Sequence, residues 1–236
     1  MANIRDLVAR RTDLSTFVVH LTRASENSNA HDNLLSIIRD RRIEARTSLG
    51  SAMSRLTAGG RQASAEELDS QKVVSFTETP LQHLYLMLET VDDLNRNIQM
   101  EPYGIALTKA LARASGINPV WYVDITPGHN WLTTPLNNLI DSAIESGFAR
   151  SDVSSLTPFI EQMGTGQGYR KEFWWEREWR HCGHFRFPHR VIVIAPEEEH
   201  DDFDDAFHYP CVDAKWGLEE IIARLSGFGV ADVGPF

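Results

Sequence analysis

Residues 171–180, KEFWWEREWR, hold three of the chain's six tryptophans, interleaved with glutamates and arginines. Few arrangements suit so many rings and charges in one short run. At the two-residue period of a strand, Trp174, Glu176, Glu178 and Arg180 point one way, while Phe173, Trp175, Arg177 and Trp179 point the other. One face then packs on a core and the other carries two carboxylates a pleat apart. Carboxylates beside aromatic walls are costly unless paired or hydrogen-bonded, so the pattern points to a cleft. The competing reading is a helix, with Glu172, Glu176 and Arg180 at four-residue spacing as an ordinary ion-paired face. The strand is preferred because aromatics crowd strands more readily and a β-branched run follows at Val191 to Ile194.

The chain has 236 residues, long enough for a substantial core, and its 42% hydrophobic and 24% charged content is that of a soluble globular protein. No apolar run approaches the roughly 20 residues needed to cross a bilayer, so no membrane partner is expected. The opening MANIRDLVARRTD lacks the apolar centre of a secretory signal, and the two cysteines, Cys182 and Cys211, give no framework of bridges. A cytoplasmic protein is the expectation. The net charge of −10 argues against indiscriminate coating of nucleic acid, but a local basic rim remains open around Arg39, Arg41, Arg42 and Arg46. The acidic run from Glu197 to Asp205 reads as a solvated helix start.

The chain opens on a short amphipathic helix from Ile4 to Arg11, and Thr16 to Thr22 reads as the first core strand. Leu34, Leu35, Ile37 and Ile38 give a helical apolar face, with Asp32 or Asn33 as its cap. The Ser, Ala, Gly and Thr content of residues 47–70 predicts a mobile loop near the mouth of the cleft. Further strands are expected at Lys72 to Thr77, Tyr103 to Lys109, Val120 to Val123 and Val191 to Ile194, with two helices between residues 131 and 163. GTGQG at residues 164–168 reads as a hinge, and a last strand–helix pair closes the chain. Strands outnumber crossover helices, which predicts a single mixed α+β domain over residues 1–236 rather than a doubly wound parallel sheet.

Three pieces together resemble a known group. FVVHLT with LLSIIRDRRIEA, VVSFTETPLQHL with YGIALTKALARASGINPVWYV, and FWWEREWR resemble the AbiGi-type proteins of abortive-infection and toxin–antitoxin phage defence. That group looks related to the ADP-ribosyltransferase-like superfamily, which includes the DarT-type toxins. The resemblance implies a split, bent mixed β-sheet with flanking helices, gripping NAD as substrate in a cleft. It implies that His20 and Thr22 contact the adenosine ribose, although Leu21 stands where the family often has glycine. Ser75, Phe76, Thr77 and Thr79 match the hydroxyl-rich turn that frames nicotinamide, and Tyr103 is a second candidate for that frame. Glu178 matches the catalytic second glutamate of a Glu-x-Glu pair, with Glu176 near the nucleophile's entrance. Arg23 is the candidate for the pyrophosphate.

The chemistry suits these residue types. Breaking the nicotinamide–ribose bond builds oxocarbenium-like charge, which a fixed carboxylate stabilises. Two function classes follow: a toxic NAD-dependent ADP-ribosyltransferase acting on a protein or nucleic-acid acceptor, or a catalytically silent antitoxin or sensor that grips a cognate partner. Each residue keeps a plain alternative: His20 as a core histidine, Tyr103 as packing, Arg23 as a surface charge, and Glu178 as a salt-bridge partner of Arg177 or Arg180. His181, Cys182, His184 and His189 are zinc-ligand types at a non-standard spacing, which Cys211 completes only if the last strand folds beside them.

Overall fold

The computed structural model describes residues 11–89, 99–126, 130–166, 169–188 and 190–227; the helix expected from Ile4 lies outside them apart from Arg11. In chain order the strands are β1 (Phe17–Thr22), β2 (Arg42–Ile43), β3 (Thr47–Ser48), β4 (Lys72–Thr77), β5 (Tyr103–Thr108), β6 (Asn118–Pro119), β7 (Trp121–Asp124), β8 (Ile160–Gly166), β9 (Tyr169–Lys171), β10 (Glu178–Cys182), β11 (Phe185–Arg186), β12 (Ile192–Ile194) and β13 (Cys211–Val212). The main sheet runs β13-β12-β5-β1-β4-β10-β6, with β3 also on β4. Its pairs are antiparallel except β12 with β13. Two smaller sheets, β11-β2 and β7-β8-β9, stand beside it. The fold is therefore mixed helix and strand, as the alternation of patterns predicts.

The sheet opens along one seam. β10 covers one edge of β4 from Val73 to Thr77. On the other edge β1 joins through the single registered pair Val19–Thr77, while β3 takes Val73 and Lys72 at the far end. Between them the Ser75 carbonyl is met by a side chain, the His20 imidazole, rather than by a main-chain donor.

Each face of the sheet has its own core. The helix Ala30–Asp40 lays Leu34 and Ile38 against Val18, Phe76, Ile105, Leu107 and Phe185. The opposite face packs Val19, Leu21, Leu84, Met87, Ile194 and Ile221. The cap of that helix is Asn29, whose side chain accepts from the Asp32 backbone N–H; Asp32 and Asn33 fall inside the first turn.

Three expectations are corrected. Residues 47–70 hold β3 and the short helices Met53–Leu56 and Ala65–Ser70. Ala52 and Leu56 are buried with Ile140, Ala143 and Phe148, and Ser64 with Glu67 forms a capping box. A Ser- and Ala-rich composition was compatible with helices because alanine is a strong helix former and serine a strong cap. Residues 131–163 give helices Asn130–Ser146 and Asp152–Leu156, but then the strand β8, which takes Gly164 to Gly166 out of the expected hinge. Finally, the Glu-x-Glu segment is strand only from Glu178 onward. Trp174–Glu176 is a helical turn, and Arg177 adopts a left-handed conformation at φ 46°. Trp174 and Trp175 are partly exposed rather than core residues, and only Trp179 is buried.

Candidate functional site

A cleft of about 1110 Å³ lies at the seam. His20, Thr22, Arg23, Ser75, Phe76, Thr77, Glu176 and Glu178 all line it, so residues far apart in the chain meet in one place. Tyr103 does not. It lines a separate depression with His31, Glu101 and Glu199, and its hydroxyl donates to Glu199 at 3.1 Å. Burial and that contact push the Tyr103 phenol up to about 12. Tyr103 pairs with Thr22 in register, but the helix Ala30–Asp40 packs on that face and His31 meets its ring edge-on. Thr79 is buried and spent on a hydrogen bond with Thr77.

Glu178 is held in place by both its side chain and its backbone. Its Oε1 accepts from the Ser75 hydroxyl at 2.6 Å and from Arg180 Nε at 2.8 Å, and its Oε2 accepts from Arg180 Nη2 at 2.7 Å. Its backbone N–H donates to the Tyr122 hydroxyl at 2.9 Å, and its carbonyl accepts from Val120 N–H at 2.8 Å. Burial pushes the Tyr122 phenol up to about 12. The turn before Glu178 is pinned by Thr77, whose buried hydroxyl donates to the Glu176 carbonyl at 2.6 Å. Thr77 thus shapes the Glu-x-Glu turn.

Of the two salt-bridge partners the sequence offered for Glu178, the structure pairs it with Arg180, and sequence reasoning missed the second carboxylate on that arginine, Glu161. Arg180 is 2% exposed and forks onto Glu178, reaches Glu161 Oε2 at 2.8 Å, and donates to the Pro158 carbonyl at 2.7 Å. Burial opposes its charge, but Glu178 and Glu161 outweigh that cost and hold the guanidinium above its ordinary value. Lys171 pairs with the other Glu161 oxygen. Arg180 had a signal, since i and i+2 share a strand face. Glu161 had none, because its segment read as helix.

His20 lies one serine away from Glu178. Its Nδ1 contacts the Ser75 carbonyl at 2.8 Å, and Phe76 meets its ring edge-on at 5.8 Å between centroids. Burial pushes the imidazole below its ordinary value, with the Ser75 contact partly opposing. The neutral ring that results donates Nδ1–H to that carbonyl and leaves Nε2 as an acceptor. Phe76, 2% exposed, backs this ring from the core. The Arg23 carbonyl accepts from Asn33 at 2.8 Å, which ties the end of β1 to the helix Ala30–Asp40.

The His20 shift has a testable sign. The unfolded chain protonates this histidine more readily than the folded one, so stability is complete above the ordinary imidazole value of about 6.5 and is lost as pH falls from there toward the lowered value. Melting temperatures of His20→Gln and the parent are expected to diverge above pH 6.5 and converge below it. Parallel pH profiles would remove the buried-neutral assignment.

The zinc reading does not assemble. His184 Nδ1 accepts from the Ala45 N–H at 3.0 Å and His181 Nδ1 contacts the Gly183 carbonyl at 3.2 Å. Cys211 on β13 and Cys182 on β10 are separated by β12, β5, β1 and β4. His189 lies outside the described residues. No helix among the described residues is long and apolar enough to cross a membrane.

Comparison with known families defines the class of the chain, without extending to the β1 side of the cleft. The sequence model described as "Putative abortive phage resistance protein AbiGi, antitoxin" matches residues 64–208, which include β4, β5, the Glu-x-Glu turn and β10. The chain belongs to the AbiGi family. No curated protein and no solved structure matches it.

Proposed function

We propose that this chain is the antitoxin of an abortive-infection pair and that it works through an ADP-ribosyltransferase-like cleft that holds NAD without turning it over. The family supports the antitoxin half, with a toxin as partner. The observation that carries the rest is the Arg180 fork. An ADP-ribosyltransferase needs a carboxylate aimed at the developing ribosyl cation, and both oxygens of Glu178 are committed to an arginine within the protein. A carboxylate whose charge is already balanced keeps its hydrogen-bonding geometry but gives a cation less stabilisation. In this reading His20 Nε2 and Thr22 take ribose hydroxyls, the Ser75–Glu178 pair lines the nicotinamide-ribose end, and Arg23 faces the pyrophosphate.

A second reading keeps Glu178 catalytic, as the toxic transferase acting on a macromolecular acceptor. The Ser75 hydroxyl on Glu178 and the nearness of His20 favour it. Calorimetric titration with NAD and an assay for free nicotinamide separate the two. Saturable binding without nicotinamide is the expected result. Nicotinamide release above the solvent rate establishes the transferase, and failure to bind NAD removes both.

A further inference from the structure

The ribbon β2–β11 forms a second wall of the cleft, apart from the sheet that carries Ser75 and Glu178. On it Arg42 and Arg186 are direct cross-strand partners, and both line the cleft. Directly opposite residues share a face with their Cβ atoms about 4.5–5.5 Å apart, where like charges repel. The pair is poorly compensated. Arg42 has Glu44 at 3.8 Å, a carboxylate that Arg46 engages at 3.3 Å, and it also acts through space on Asp40, which Arg39 already engages. Arg186 has no ion pair among the described residues and is exposed. Glu44 is shared with Arg46 and Asp40 is engaged by Arg39, so the two facing arginines keep positive charge to offer an anion in the cleft.

We propose that Arg42 and Arg186 hold a dianionic phosphate monoester on the ligand, so that the cleft prefers NADP, which carries an adenosine 2′-phosphate, to NAD. This rests on the reading of the cleft as a site for NAD. Two guanidinium forks suit a terminal phosphate with three free oxygens, which accepts paired hydrogen bonds from both. Position agrees with this. His20 meets Ser75, the Glu178 partner, on one side, and on the other its neighbour Phe76 meets Phe185, the residue before Arg186, at 5.6 Å between centroids. Arg42 and Arg186 line the same cleft as His20 and Glu178, so in this reading a dinucleotide with one ribose at Glu178 and the other at His20 has its 2′-phosphate met by the ribbon. A nucleic-acid strand fits less well, because Glu26, Asp40 and Glu44 line the same cleft and repel a chain of charges more than one localised phosphate.

The test compares NADP with NAD, and 2′,5′-ADP with AMP, by calorimetry on the parent, Arg186→Gln and Arg42→Gln, with melting temperatures as the control for folding. NADP and 2′,5′-ADP are each expected to bind about ten- to a hundredfold more tightly than their counterparts. Arg186→Gln is expected to erase that difference while NAD affinity and melting stay unchanged. Equal affinities in the parent, or a preference that survives both variants, overturn the proposal while leaving the NAD cleft intact. Arg186-dependent binding of 2′,5′-ADP without any binding of NAD keeps the phosphate site and removes the NAD reading. Arg186-dependent binding of a single-stranded oligonucleotide, with NADP and NAD alike, reassigns the arginines to a strand and also overturns the proposal.

Discussion

Arg180→Leu is expected to lower the stability of the fold by about 3–5 kcal/mol, the cost of removing one partner from a buried ion pair. The cause is less the lost attraction than what stays behind. Glu178 and Glu161, with side chains 15% and 8% exposed, are left facing each other without the guanidinium between them. The Pro158 carbonyl loses its donor as well. For a chain of this size the loss corresponds to a fall of roughly 6–20 °C in melting temperature. Adding Glu178→Leu and Glu161→Leu is expected to recover much of it, since replacing a whole buried ionic group by apolar residues is often neutral or better. Calorimetric melting of the single and triple variants checks both halves. A single variant that melts with the parent would show that Arg180 is not the keystone of the cleft floor.

The second large effect is at Glu178. Glutamine keeps the shape but offers one acceptor oxygen to a fork that uses two, and Arg180 stays buried with its charge reduced to one full partner, Glu161. Glu178→Gln is therefore expected to cost about 1.5–3 kcal/mol, the range for hydrogen bonds to charged groups, or a melting shift of roughly 3–12 °C. The transferase reading predicts a different pattern: unchanged melting and NAD affinity, with turnover reduced by about two to three orders of magnitude. Melting, NAD titration and nicotinamide release, measured together on one preparation, distinguish the patterns. A variant that melts like the parent but has lost nicotinamide release would sink the antitoxin proposal.

Much of the main sheet was legible because its strands advertise themselves. FVVHLT, KVVSFT and YGIALT are β-branched or apolar runs bounded by turn residues, and they became β1, β4 and β5 within a residue of expectation. The convergence of His20, Ser75 and Glu178 followed from polar positions on such strands. Other features were hidden for physical reasons. β8, IEQMGTG, has little β-propensity and becomes a strand through its parallel pairing with β7, a tertiary effect. The break at Arg177 was masked because a non-glycine residue in the left-handed region leaves no mark in the sequence. Tyr103 was offered by the resemblance as an aromatic frame, whereas its surroundings are decided by the helix Ala30–Asp40 packing there. The Arg180–Glu161 contact joins two segments that no local pattern relates.

The seam between β1 and β4 divides the cleft-lining residues into two leaves of one book. Thr22 and His20 are printed on the leaf of β1, with Arg23 just past its end, and Ser75 and Glu178 on the leaf of β4 and β10. The spine is one residue pair and one imidazole. A molecule that touches both pages reads the angle at which the book lies open. That angle is set from behind as well as within: a methyl group added at Gly104, on the neighbouring β5, would stand 2.1 Å from the His20 carbonyl oxygen and push the first page aside. Positions with no view of the cleft thus take part in deciding what it admits, and a partner protein pressing on the outer cover would gain the same control.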